Sequence, residues 1–151
     1  MTLPDRLRRL LPGIWFGLLA AIAFIATPAA FGLPDRAMAG EVVRRIFAWE
    51  APTSLALGGL ILLCERAVAL RRHEAAGTSQ FSAGMMLALG GLLCTVAGYY
   101  GLQPAMEAAR QGEATALNFG QLHALSTVFF GAKGLLALAL AWRALRPADA
   151  A

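Results

Sequence analysis

The chain has 151 residues, 58% of them apolar and only 15% charged, whereas a soluble domain carries about 25% charge. Mean hydropathy is +0.61, and the length allows one domain, here a single integral membrane domain over 1–151. The net charge of +4 does not indicate nucleic acid, because the arginines flank apolar runs instead of forming one patch.

Four apolar segments follow in chain order. The first covers about Leu10–Phe31. Arg6, Arg8 and Arg9 precede it and Ala37-Met38-Ala39 follows it, as in a secretory signal. Its run of about 22 apolar residues exceeds the 7–15 of a signal core, so it is expected to be a retained span. Pro28 should kink it and free a carbonyl, with Thr27 as a local hydrogen-bonding group. The second segment, about Ile46–Leu70, has a charge-free core of only Ala51–Cys64, between Glu50 and Glu65-Arg66. It reads as a span, with an amphipathic surface helix as the competing reading. The third is about Phe81–Leu102 and the fourth about Phe119–Trp142. Each segment of 20 or more residues crosses a hydrocarbon core of about 30 Å. The expected fold is all-α, a four-transmembrane-helix bundle running up-down-up-down.

Orientation follows from arginine placement. One side carries Arg6, Arg8, Arg9, Arg66, Arg71, Arg72, Arg143 and Arg146; the other carries Arg36, Arg44, Arg45 and Arg110. The positive-inside rule then predicts cytoplasmic N and C termini. The two halves share punctuation. Phe31-Gly32-Leu33-Pro34 ends segment one and Tyr100-Gly101-Leu102-Gln103-Pro104 ends segment three. Gly40-Glu41 precedes Phe47 as Gly112-Glu113 precedes Phe119. Two tandem hairpin repeats would produce this, and so would any two helix hairpins.

Lipid supplies no hydrophobic drive between helices, so small residues must allow close approach. Candidates are Gly13 and Gly17 in segment one, Gly84, Gly91 and Gly98 in segment three, and Gly131 and Gly134 in segment four. Cys64 and Cys94 form no disulfide framework.

The ionisable residues at membrane depth are the strongest functional signal. On a helical wheel His123, Ser126 and Lys133 share one face of segment four, and Glu50, Ser54 and Glu65 share one face of segment two. Matching the openings of the two segments at Ile46 and Phe119 predicts two pairs, Glu50 with His123 and Lys133 with Glu65. The competing reading puts the glutamates at the headgroups and lets Lys133 snorkel. Cys64, Met85 and Met86 form a soft set that would suit copper(I), although such residues are ordinary packing material. A haem held by two histidines is not available from one intramembrane histidine. No nucleophilic triad, phosphate loop or zinc-ligand spacing is present, so no catalytic residue is assigned, no cofactor is identified, and the reading leans away from an enzyme.

Several short motifs point to a family. Trp15-Phe16-Gly17, Pro28-Ala29-Ala30-Phe31, Ala39-Gly40-Glu41 and Phe47 resemble the start of the transmembrane protein 205-like family, also called domain of unknown function 4149. Phe119-Gly120-Gln121-Leu122-His123-Ala124-Leu125-Ser126 resembles its last helix. The resemblance implies a bacterial four-helix membrane protein without an established activity. It carries Trp15, Gly17, Pro28, Phe31, Gly40, Phe47, Phe119, His123 and Ser126 as motif positions, and it does not include Lys133. A more distant similarity links the first helix to four-helix protoporphyrinogen oxidases and CopD-type copper proteins, but the histidine those oxidases need in that helix is absent.

The expected function is that of a multi-pass inner-membrane protein that binds or transports a small solute or metal through a polar patch made of Glu50, Glu65, His123, Ser126 and Lys133. The competing classes are a structural or partner-binding membrane subunit and a haem- or quinone-linked redox protein. The expected partners are the lipid bilayer and a second copy or another membrane protein, with no nucleic acid.

Overall fold

The computed structural model describes residues 2–145, and among these there is no strand. Four helices are long and apolar enough to cross a membrane: α1 (Leu3–Phe31), α2 (Arg36–Ala76), α3 (Ala83–Arg110) and α4 (Phe119–Ala144). The chain is an all-helical, multi-pass membrane protein. Arg146, counted above with the positive side, lies outside the described residues.

Local signals set the helix ends. Thr2 and Asp5 form a capping box at the start of α1. Asp35 accepts from the Ala37 amide at 2.8 Å and opens α2. Ser82 accepts from the Met85 amide at 3.1 Å and opens α3. Asn118 and Gln121 form a second capping box at α4. Each side-chain oxygen satisfies an amide that has no partner within its helix. Gly77, at φ 62°, closes α2, because the left-handed conformation there costs glycine little. Gly112, at φ 78°, turns the chain after α3.

Two prolines reshape their helices in the same way. Ile22–Ala26 is a π-helical turn in α1 just before Thr27-Pro28, and Val96–Gly101 is one in α3 just before Gln103-Pro104. Proline has no N–H and its ring crowds the carbonyl four residues back. Widening the helix by one π turn accommodates both effects without ending it. Gly101-Leu102-Gln103-Pro104 is therefore not a stop, since α3 runs on to Arg110.

The two outer connections consequently differ. After α1 the connector residues belong to the following helix, because α2 already begins at Arg36. After α3 they belong to the preceding helix. Helix α2, with 41 residues, is about 60 Å long, twice the hydrocarbon thickness. The span boundary expected at Ile46 is not a helix start. Nor is α2 a surface helix, since Ala51, Ser54, Ile61, Cys64 and Val68 are buried in the bundle.

Helix α1 lies against α2 and α4, and α3 lies against the same two. The core comprises Leu11, Trp15 and Leu19 of α1, Ile61 of α2, Ala88 of α3, and Ala137 and Leu140 of α4. The outer surface is strongly apolar, with Phe24, Trp49, Leu63, Leu93, Val128 and Leu135 exposed. Apolar surface of this extent belongs against lipid.

The glycines divide by helix. A methyl group built on Gly91 would stand 2.6 Å from the Trp15 ring, and one on Gly98 would stand 2.5 Å from Phe129. Gly84 backs directly onto the Glu65 carboxylate. The heptad spacing on α3 is thus a contact seam. Gly13, Gly17, Gly131 and Gly134 face open space, which corrects the expectation that they bring helices together. They lie on faces of α1 and α4 turned away from the neighbouring helices. Gly91→Leu should lower stability in detergent by about 1–3 kcal/mol through overpacking, while Gly17→Leu leaves it unchanged. Thermal unfolding of the two variants side by side checks this.

Candidate functional site

The interior charges are placed by the register of α2 against α4. Phe47 meets Phe130 edge to face, with centroids 5.2 Å apart, and Glu50 meets Lys133. Both contacts join residues 83 positions apart, so α2 and α4 run in the same direction. The helix starts, Arg36 and Phe119, share that offset. Glu50 and Lys133 are each the fifteenth residue of their helix.

Lys133 Nζ donates to Glu50 Oε1 at 2.6 Å, with both side chains almost fully enclosed, at 3% and 1% exposure. The ammonium also lies 5.1 Å from the Phe130 ring centroid, where the ring's negative face favours a cation. Ser54, one turn beyond Glu50, donates its hydroxyl to the same carboxylate oxygen. The hydroxyl has one proton to give, so its lone pairs are left for Trp15, whose indole Nε1 donates at 2.8 Å. Trp15 and Ser54 have no exposed surface. The result is a directed chain, Trp15 to Ser54 to Glu50, met from the other side by Lys133. It ties α1, α2 and α4 together and carries no net charge.

The arrangement follows from what lipid denies. A charged side chain at the bilayer centre costs about 2.5–3.5 kcal/mol on insertion scales. A buried indole or hydroxyl without a partner also costs free energy. Each of these four groups meets its need only in the other three and the Phe130 ring.

The expected pairs are therefore exchanged. Lys133 pairs with Glu50, not Glu65, because α2 begins at Arg36, ten residues before the segment opening at Ile46. That displacement is about 15 Å along the axis, enough to bring Glu50 down to the level of Lys133. Glu65 lies near the opposite end of the bundle. It accepts from Ser82 Oγ at 3.0 Å and pairs with Arg8 Nη1 at 3.5 Å. His123 is exposed and does not meet Glu50. Its ring stacks on Phe119, centroids 6.1 Å apart, and Arg110 lies 5.1 Å over the other ring. Ser126 and Thr127 both donate back to the His123 carbonyl at 2.9 Å, so Ser126 closes on its own helix.

Among the motif positions Trp15 is central and Phe47 packs beside the ion pair. Gly17, Pro28, Phe31 and Phe119 are exposed, and Gly40 is half-buried near the start of α2. Met86 is exposed while Met85 and Cys64 are buried, so the three do not form one ligand set. Among the described residues, no three His, Cys, Asp or Glu side chains come together as metal ligands. Ser54, although on the Glu50 face of the wheel, and Arg8 are not among the five residues of the expected polar patch. The signal for Ser54 was its place four residues after Glu50, on the same helix face. Arg8 stands in the sequence only as a flanking charge.

Removing one partner leaves the other charge unpaired. Lys133→Met or Glu50→Gln should each cost stability, by up to about 3–5 kcal/mol for a fully buried pair. The double variant E50Q/K133M should recover most of the loss. Denaturation of the three proteins in mild detergent measures the coupling.

The sequence profile of the family described as Domain of unknown function (DUF4149) matches residues 10–115. That stretch holds Trp15, Glu50, Ser54 and Glu65 and ends before α4, which supplies Lys133. No curated protein and no solved structure matches the chain. A match over so much of the sequence, on a bundle of four membrane-length helices, establishes that the chain belongs to the DUF4149 family.

Proposed function

We propose that this protein is a structural or partner-binding membrane subunit, a rigid scaffold whose buried charges fix helix register. The observation that carries this reading is the closure of the Lys133–Glu50–Ser54–Trp15 chain. Every member is at most 3% exposed, and two open hollows lie elsewhere, at the arginine-rich helix ends and on the outer face of α4. A solute passing along a polar patch needs space beside the charges. A register lock needs their absence from water and a unique geometry, and buried polar pairs serve that role best where alternative alignments compete.

A second reading, binding or transport of a small solute or metal, draws on the ion pair itself. An ionisable pair at membrane depth is the usual location of a coupling site. The two readings differ in how the pair responds to protons. Trp15 reports on it directly, being hydrogen-bonded to the serine that holds Glu50. Trp49 and Trp142, the other two tryptophans, are exposed on the outside and can be replaced by Phe. In a W49F/W142F protein a lock gives Trp15 emission that is unchanged between pH 5 and 9. A transition in that range, abolished by Lys133→Met, would replace the scaffold reading with the coupling one.

The same reading places the chain in a bacterial inner membrane with N and C termini in the cytoplasm. Its support is the excess of arginine at the ends of α1 and α2 that face the α2–α3 connection. Reporter fusions after residue 76 should read cytoplasmic, and fusions after residue 111 periplasmic. The reverse pattern would invert the orientation.

A further inference from the structure

The arginine-rich end of the bundle holds a cavity of about 340 Å³ between the first turns of α1 and the last turns of α2. Arg8 and Arg9 line it from α1, Arg71 and Arg72 from α2, with Asp5 as the one acid. Two of the arginines are engaged. Arg71 pairs with Asp5 at 3.2 Å and donates to Thr2 Oγ1 at 2.7 Å. Arg8 pairs through Nη1 with Glu65. Arg9 and Arg72 have no carboxylate partner among the described residues, so four cations are set against Asp5 in the lining and Glu65 outside it. The Arg8 Nε is buried without a hydrogen-bond partner, the one such side-chain atom among the described residues.

We propose that this cavity binds the phosphate of an acidic phospholipid headgroup. Topology alone asks for positive charge on one side of the membrane. It does not ask four arginines from two helices to line one hollow, nor does it leave an N–H donor dry. An anion entering the hollow would balance the excess charge. Guanidinium forks match phosphate oxygens in pairs, which a point charge does not. The level of the hollow favours a lipid over a soluble phosphate. Arg8 and Arg9 directly precede the apolar stretch of α1, where headgroups lie, and basic pockets between transmembrane helices recognise headgroups.

The full chain in neutral detergent, offered equal amounts of phosphatidylglycerol and phosphatidylcholine, tests this by native mass spectrometry. Phosphatidylglycerol should be retained in preference. R9Q/R72Q leaves both ion pairs intact and should cut that preference by roughly tenfold or more. R9K/R72K, which keeps the charge and loses the forks, should fall between the two. R6Q/R66Q removes the same charge outside the cavity and should keep the preference. Equal loss in R6Q/R66Q, or no preference in the native chain, overturns the site. Displacement of the lipid by millimolar inorganic phosphate overturns the assignment to a headgroup. Circular dichroism of R9Q/R72Q confirms that the helices persist; if they do not, R72K alone carries the comparison.

Discussion

The ion pair between Glu50 and Lys133 is the constraint on which the bundle turns. In water either residue could drift a turn along its helix at small cost, but inside a bilayer neither can, because nothing else at that depth solvates it. The pair therefore fixes α2 against α4 although the two helices stand diagonally across the bundle. Trp15 extends the constraint to α1 through Ser54. Apolar side chains could fill the same space as stably, but they would accept several alignments, since leucine and alanine fit leucine and alanine in many registers.

Helix α3 takes part by absence. It brings no charge to the interior, and three of its glycines, Gly84, Gly91 and Gly98, provide the room in which the others work. The Trp15 ring lies over Gly91, and the Glu65 carboxylate lies over Gly84. A side chain at either position would displace the group that holds the polar contacts. Ser82 has two roles at the start of this helix, capping it through the Met85 amide and donating to Glu65. The seam of glycines and the polar contacts are thus one arrangement seen from two helices.

How much of this was legible in the sequence depended on the signal. Length and apolarity identified four spans, and the wheel put Glu50, Ser54 and Glu65 on one face of the second. The partners were misassigned because hydrophobicity locates a membrane span and not a helix terminus. The apolar opening at Ile46 suggests a helix start there, whereas Asp35, a capping residue, marks the start of α2. From Arg36 the count to Glu50 equals the count from Phe119 to Lys133. The cap carried the register and the hydropathy concealed it. The repeated Gly-Glu and Phe spacing misled in a similar way. Phe47 and Phe119 correspond in that pattern, yet Phe47 meets Phe130 in the fold. The outward glycines of α1 and α4 were not distinguishable from the inward ones of α3, because spacing alone does not say which face of an apolar helix meets lipid.

The two acids of α2 give the bundle its remaining asymmetry. Glu50 takes its cation from α4, and Glu65, fifteen residues further on, takes one from α1. The two sites stand about 22 Å apart along a single continuous helix. A slide of α2 by one turn, about 5.4 Å, would break both pairs together, so the two ends of the helix are held to one position. The Arg8 guanidinium stands at the join. One of its nitrogens holds Glu65 and another is buried with no partner beside the arginine-lined cavity. An anion bound there would compete with Glu65 for the same guanidinium. The charge near the arginine-rich end and the charge in the interior are in this way anchored on one continuous helix.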